Sequence, residues 1–129
     1  MIAPDPCETR FVEIVFPEQA NHYGTLFGGT ALNLMSKAAA IAAARRAGGS
    51  VVMARSDRVD FHMPVMVGQL VELCARVERI GRSSMTVKVD VIAETLGKSD
   101  GRLAMRGSFE MVAVDAEGRP TPITMTAIA

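Results

Sequence analysis

The sequence predicts an α+β protein in which a long antiparallel sheet wraps around one central helix. Three observations lead there. Only one segment, Thr30–Ala47, has a helical composition, and it is alanine-rich and apolar almost all round. Four strand-like segments follow it, joined by short turns marked by glycine or proline. A single helix cannot cover both faces of an open sheet, so the sheet has to curl about the helix to bury one face of its own.

The elements follow in order. Phe11–Phe16 has period-two character with apolar residues on both sides, which predicts a strand covered on most of its surface. Pro17 ends it. The polar loop Glu18–Gly29 contains Gly24, Gly28 and Gly29. Thr30–Ala47 then predicts a buried helix, closed by Gly48 and Gly49, with Arg45 and Arg46 beside the negative end of its dipole. Val51–Phe61 is the next strand, turned by Pro64 and Gly68. In Leu70–Ile80, Val71, Leu73, Ala75 and Val77 form the apolar side. In Ser84–Leu96, Met85, Val87, Val89, Val91 and Ala93 do so. Leu103, Met105, Phe109, Met111 and Ala113 give the last strand its inner face. The Pro/Thr-rich end beyond Gly118 is expected to be loose. No repeat or linker divides the chain, so residues 1–129 are read as one domain with a core at about 8–115.

Fourteen basic and fourteen acidic residues give a formal net charge of zero. That argues against bulk attraction to nucleic acid or an anionic membrane, and leaves room for a local basic pocket. No segment is apolar enough to span a bilayer. Met1–Pro6 lacks the pattern of a signal peptide. Cys7 and Cys74 are isolated and lack metal-ligand spacing, which predicts free thiols in a reduced, cytoplasmic protein. No metal or redox cofactor is indicated.

Five runs in order carry a family likeness: NHYGTLFGG (Asn21–Gly29), LMSKA (Leu34–Ala38), VVMARSDRVDF (Val51–Phe61), PVMVG (Pro64–Gly68) and GRSSM (Gly81–Met85). Together they resemble the hotdog superfamily, and within it the YciA-like acyl-CoA hydrolases and brain acyl-CoA hydrolase. The resemblance implies a five- to six-stranded sheet around one helix and a thioesterase that splits acyl-CoA into free acid and coenzyme A. It implies a site shared between the subunits of a dimer, in assemblies of two, four or six chains. It assigns catalysis to the loop asparagine, Asn21, to a carboxylate on the helix and to the oxyanion glycines, Gly28 and Gly29. Contact with substrate and coenzyme A falls to Phe27, Arg55, Phe61, Arg82, Ser83 and Ser84. The physics is consistent: a helix N-terminus offers unpaired N–H groups to a developing oxyanion, and a carboxylate is a base or nucleophile.

The helical carboxylate position is occupied by Ser36, and Thr25 is also uncharged. Three readings stay open. The chain is a natural acyl-CoA-binding pseudo-enzyme, or a deliberate active-site variant, or it uses another acid, Asp57. Counting by twos puts Asp57 and Arg55 on the same side of their strand as Met53, Val59 and Phe61, where charges call for a partner or a function.

Plainer roles compete at each position. Asn21 can cap a turn, Gly28 and Gly29 can serve packing, and Ser36 can bond back to its helix. Arg55 and Asp57 can form a simple ion pair, and Arg82–Ser84 an ordinary hairpin turn. His22 and His62 lack a neighbouring nucleophile. A dehydratase reading ranks low because its histidine motif is missing.

Overall fold

The computed structural model describes residues 7–124; Met1–Pro6, read above for a leader, and residues 125–129 lie outside the described part. The order is β1 (Thr9–Ile14), a short 3-10 turn (Pro17–Gln19), α1 (Gly28–Ala47), β2 (Val51–Phe61), β3 (Leu70–Ile80), β4 (Ser84–Glu94) and β5 (Arg102–Ala113). The five strands form one sheet ordered β1-β3-β4-β5-β2, every pair antiparallel. This is the expected sheet around one helix, with β1 and β2 as its two edges.

The core lies between α1 and the concave face. Ala38, Ala39, Ala42 and Ala43 bring the helix backbone close to the sheet. They meet Leu73, Ala75, Val87, Val89 and Phe109, all buried. At Gly107 of β5 the Met35 methyl lies so close that an added Cβ would stand 3.0 Å from it. A side chain there would have to displace the Met35 methyl and crowd the Phe109 and Val59 side chains. The inner faces of β4 and of β3 up to Ala75 follow the period-two expectation, while a register shift between Val77 and Arg79 leaves Val77 half-buried. In β5 a register shift opposite Val91 and Ile92 takes Leu103 off the inner face and buries Ala104 instead.

Four further expectations change. The helix starts at Gly28, two residues early, because Phe27 is extended and both glycines accept helical angles. It is not buried all round: Leu32, Asn33, Lys37, Ile41 and Arg45 form an exposed stripe, since a curled sheet covers only one side of a cylinder. Edge strand β1 is not covered either, and the outer side chains of Val12 and Ile14 are exposed. The C-terminal stretch is not loose as far as Ile123. The Thr121 N–H donates to the Ala113 carbonyl and the Ile123 N–H to the Arg82 carbonyl, both at 2.9 Å.

The cysteines are not free. The β1–β3 pairing carries the segment before β1 alongside β3, and Cys7 and Cys74 form a disulfide with Cα atoms 5.4 Å apart. Spacing could not reveal this, since 67 residues separate them. On the outer face Asp90 accepts hydrogen bonds from Arg106 (2.7 and 3.2 Å) and Arg76 (3.2 Å). Burial acts to raise its pKa, but the bonds and charges of the two arginines outweigh this and hold its carboxyl below the ordinary value.

Two outcomes are expected. Closing so long a loop restricts the unfolded chain, so reduction, or Cys7→Ser, should lower stability by about 2–4 kcal/mol in denaturant unfolding. A carboxyl with a depressed folded pKa stabilises above its unfolded pKa, and that stabilisation is lost as pH falls through the folded value. Unfolding midpoints should therefore drop on acidification below the ordinary carboxylate range in the wild type. Asp90→Asn should be less stable at neutral pH and show a shallower acid decline.

Candidate active site

The helix start is electrostatically open. Its cap, Phe27, offers no side-chain hydrogen bond, and no acid occupies the first turn. The N–H groups there keep their partial positive charge. The two glycines differ. A Cβ on Gly29 would stand 2.9 Å from the Phe27 ring, while one on Gly28 would meet nothing within 4 Å. The Phe27 ring stands beside Gly29, which is nonetheless exposed, while Gly28 is half-buried.

The loop before the helix is built on Asn21. Its Oδ1 accepts from the Tyr23 N–H (2.9 Å), the Thr25 N–H (3.2 Å) and the Thr25 hydroxyl (3.2 Å). The turn-capping role is therefore real, and it fixes the amide so that its NH2 is left to donate elsewhere. The loop is latched to the turn after β2 by Leu26 N–H to Val65 O (2.7 Å) and Val67 N–H to Gly24 O (3.1 Å).

Between the first turns of α1 and strand β2 lies a groove of about 250 Å3, lined by Gly29, Leu32, Asn33, Ser36, Met53, Ser56 and Phe109. Ser36 donates to the Asn33 carbonyl at 2.9 Å, the back-bond expected of it. Of the predicted site residues, the structure brings only Gly29 and Ser36 to this groove. Asn21, Phe27, Gly28, Arg55, Asp57 and Phe61 do not line it within one protomer, and neither do His22 and His62. His22 stacks on Tyr23 on the exposed loop, with ring centroids 4.0 Å apart.

The assignment of Arg55 and Asp57 to the side of Met53, Val59 and Phe61 is overturned. Strand β2 has register shifts between Met53 and Arg55 and between Ser56 and Val59. The helix-facing set is Met53, Ser56, Val59 and Phe61, opposite the inner residues Met111, Phe109, Gly107 and Met105 of β5. Arg55 is turned outward, opposite Glu110, and Asp57 falls in the second bulge. The two make an exposed ion pair at 2.9 Å. Sequence reasoning missed Ser56 because a bulge breaks the alternation it relied on.

A second cavity, about 280 Å3, lies beside the β3–β4 turn. Arg82 and Ser83 line it together with Pro120, Thr121 and Pro122. The structure thus joins two predicted residues to three that were read as part of a loose end. Ser84 opens β4 and its carbonyl accepts from the Gly81 N–H at 2.7 Å, closing the turn. Among the described residues no group of three or more His, Cys, Asp or Glu is placed to hold a metal ion, and no helix is long and apolar enough to cross a membrane.

The model of the thioesterase superfamily matches residues 23–99. A Zymomonas mobilis protein described as an uncharacterised acyl-CoA thioester hydrolase is 34% identical over 110 residues, 85% of this chain and 74% of that one. The crystal structure of an Agrobacterium tumefaciens acyl-CoA hydrolase superposes with a TM-score of 0.84 at 44% identity, covering 95% of this chain and 48% of that one. This chain thus spans about half of that protein. The Staphylococcus aureus acyl-CoA hydrolase, solved with butyryl-coenzyme A, coenzyme A and coenzyme A disulfide, gives 0.85 at 35% identity, covering 90% and 71% of the two chains. With family model, relative and solved folds in agreement, the chain belongs to the thioesterase superfamily and has its hotdog fold.

Proposed function

We propose that the chain hydrolyses acyl-CoA thioesters to free acid and coenzyme A, at a site completed when two copies meet along β2. The observation that carries this reading is the uncapped start of α1, whose exposed Gly29 lines a groove walled by the same helix. The N–H groups there would hold the thioester oxygen as it gains charge. Water oxygen bonds the acyl carbon, the carbon–sulfur bond breaks, and the water proton ends on the thiolate sulfur. Water is the co-substrate, and the scheme calls for no metal or redox cofactor.

Pairing of two copies is supported by what one protomer leaves uncovered. Leu32 and Ile41 on α1 and Val52, Met53 and Phe61 on β2 are exposed. Asn21 does not reach its own protomer's groove, which suits donation of its amide into the partner's. A hexameric acyl-CoA thioesterase 38% identical to this chain superposes with a TM-score of 0.86, and an assembly of dimers is proposed here as well. Phe27 and Phe61 would border the acyl end. Arg82, Ser83 and Ser84 would meet the coenzyme A phosphates, where the guanidinium fork suits phosphate. The disulfide removes the free-thiol ground for a cytoplasmic location, which is proposed here on the acyl-CoA substrate alone; residues 1–129 are proposed as a single catalytic domain.

Ser36 defines the rate. For the Staphylococcus aureus protein, alanine variants are described at an asparagine, at an aspartate fifteen residues further on and at a threonine seventeen beyond that. The same intervals from Asn21 fall on Ser36 and Met53. Both lie in the groove, and neither ionises as a carboxylate does. Hydrolysis by this chain would rest on the oxyanion cradle and the Asn21 amide, without a helical base.

Two measurements of thiol release from butyryl-coenzyme A test this. Ser36→Asp should raise kcat by about 10^2-fold or more, the usual worth of a positioned base; no gain would overturn the reading that only the helical acid is missing. Asn21→Asp keeps the acceptor for all three loop bonds but removes the amide donor. It should leave the melting temperature nearly unchanged and lower kcat/KM by about 10^2-fold, in the range of a lost oxyanion donor. Release of no thiol from any acyl-CoA would remove the proposal.

A further inference from the structure

We propose that the α1–β2 groove selects acyl groups that carry no charge, and that Met53 and Ser56 set this selection. The inference rests on the acyl-CoA reading above and names the substrate class of that site. Its ground is the composition of the wall. Seven residues of one protomer line the groove, and none of them is ionisable. Leu32, Met53 and Phe109 supply apolar surface, while Asn33, Ser36 and Ser56 supply neutral polar groups.

This neutrality is built by the backbone of β2. Residues 55–60 carry four charges, Arg55, Asp57, Arg58 and Asp60. A regular strand would direct Arg55 and Asp57 toward the helix, on the side of Met53. The two bulges instead deliver Met53 and then Ser56 to the helix side. The register sets Arg55 across from Glu110 and Asp60 across from Arg106 on the outer face. The charges are also spent on one another: Arg55 pairs with Asp57 at 2.9 Å and Arg58 with Asp60 at 3.1 Å. Lys37, next to Ser36 on the helix, is exposed and does not line the groove.

An acyl chain ending in a methyl loses nothing on entering such a wall and gains apolar contact with Leu32, Met53 and Phe109. One ending in a carboxylate loses water and meets no cation on this protomer's wall, so it must stay out, bind weakly or carry a proton in with it. Rejection of this kind works against the charged competitor, not through a better fit to the favoured substrate.

Butyryl- and succinyl-coenzyme A have acyl chains of equal carbon number, and differ at the end that matters. With the full chain in its native assembly, kcat/KM from thiol release should favour butyryl-coenzyme A on the order of 100-fold, the scale of a buried polar mismatch. Thermal shifts with the two ligands should rank the same way, with coenzyme A alone as reference. Met53→Lys, which sets an ammonium on the wall, should narrow the ratio, and the uncharged Met53→Gln should keep it. Ser56→Lys gives a second cation should the first variant fold poorly. Equal hydrolysis of both thioesters by the wild type would overturn the selection and leave the proposed activity standing. Butyryl preference in thermal shift without turnover would uphold the selection and remove the activity. No shift with either thioester or with coenzyme A would remove both. An unchanged ratio in both lysine variants would overturn the assignment to Met53 and Ser56.

Discussion

The packing of α1 into the concave face of the sheet is the constraint on which everything else depends. A helix can lie this close only if its inner side is small, and Ala38, Ala39, Ala42 and Ala43 meet that requirement. The sheet answers at Gly107, where the missing side chain admits the Met35 methyl. Close-packed interiors resist even small volume changes, so the distance between helix and sheet is fixed from both sides. That distance also sets the width of the groove, because Leu32, Asn33 and Ser36 stand on one wall and Met53, Ser56 and Phe109 on the other.

The same packing fixes where the helix begins. Phe27 ends the loop with its ring over Gly29, and the first N–H groups follow immediately. The loop is independently braced by the three acceptor bonds of Asn21 and by its latch to the turn after β2. Two rigid pieces thus meet at an electropositive helix end that nothing in the chain neutralises. A structural helix is normally capped at this point. Left bare, it offers its N–H groups to water or to a ligand's developing negative charge.

The regular parts of the fold were legible in the sequence. Strand β4 alternates throughout and β3 as far as Arg76, and the buried sides there are the predicted ones; beyond that a register shift between Val77 and Arg79 breaks the period. The alanine-rich helix and its glycine stop were equally plain. Legibility failed wherever the backbone departs from its period. The bulges of β2 exchange the faces of Arg55 and Ser56, and the shift opposite Val91 and Ile92 displaces Leu103. Contacts between distant segments were also hidden. Neither the Cys7–Cys74 pair nor the docking of Pro120–Ile123 on the β3–β4 turn leaves a local signal. Of the site, the motif supplied Gly29, Ser36, Arg82 and Ser83 as cavity-lining residues. The remaining lining residues, Leu32, Asn33, Met53, Ser56 and Phe109 of the groove and Pro120, Thr121 and Pro122 of the second cavity, emerged only from the assembled fold.

The uncapped helix and the neutral groove are two halves of one electrostatic arrangement. A partial positive charge acts most strongly on a nascent oxyanion when nothing nearby competes for it and little water screens it. A carboxylate in the groove would compete for those N–H groups, unless held at the distance a water molecule needs. A cation would attract anionic acyl ends into the space where the thioester carbon must lie. With Arg55 turned outward and Asp57 bound to it, neither charge stands on the groove wall beside the helix start. The bulges of β2 therefore matter to the chemistry as much as the glycines do. They remove charge from the one wall where it would compete with the helix for the substrate.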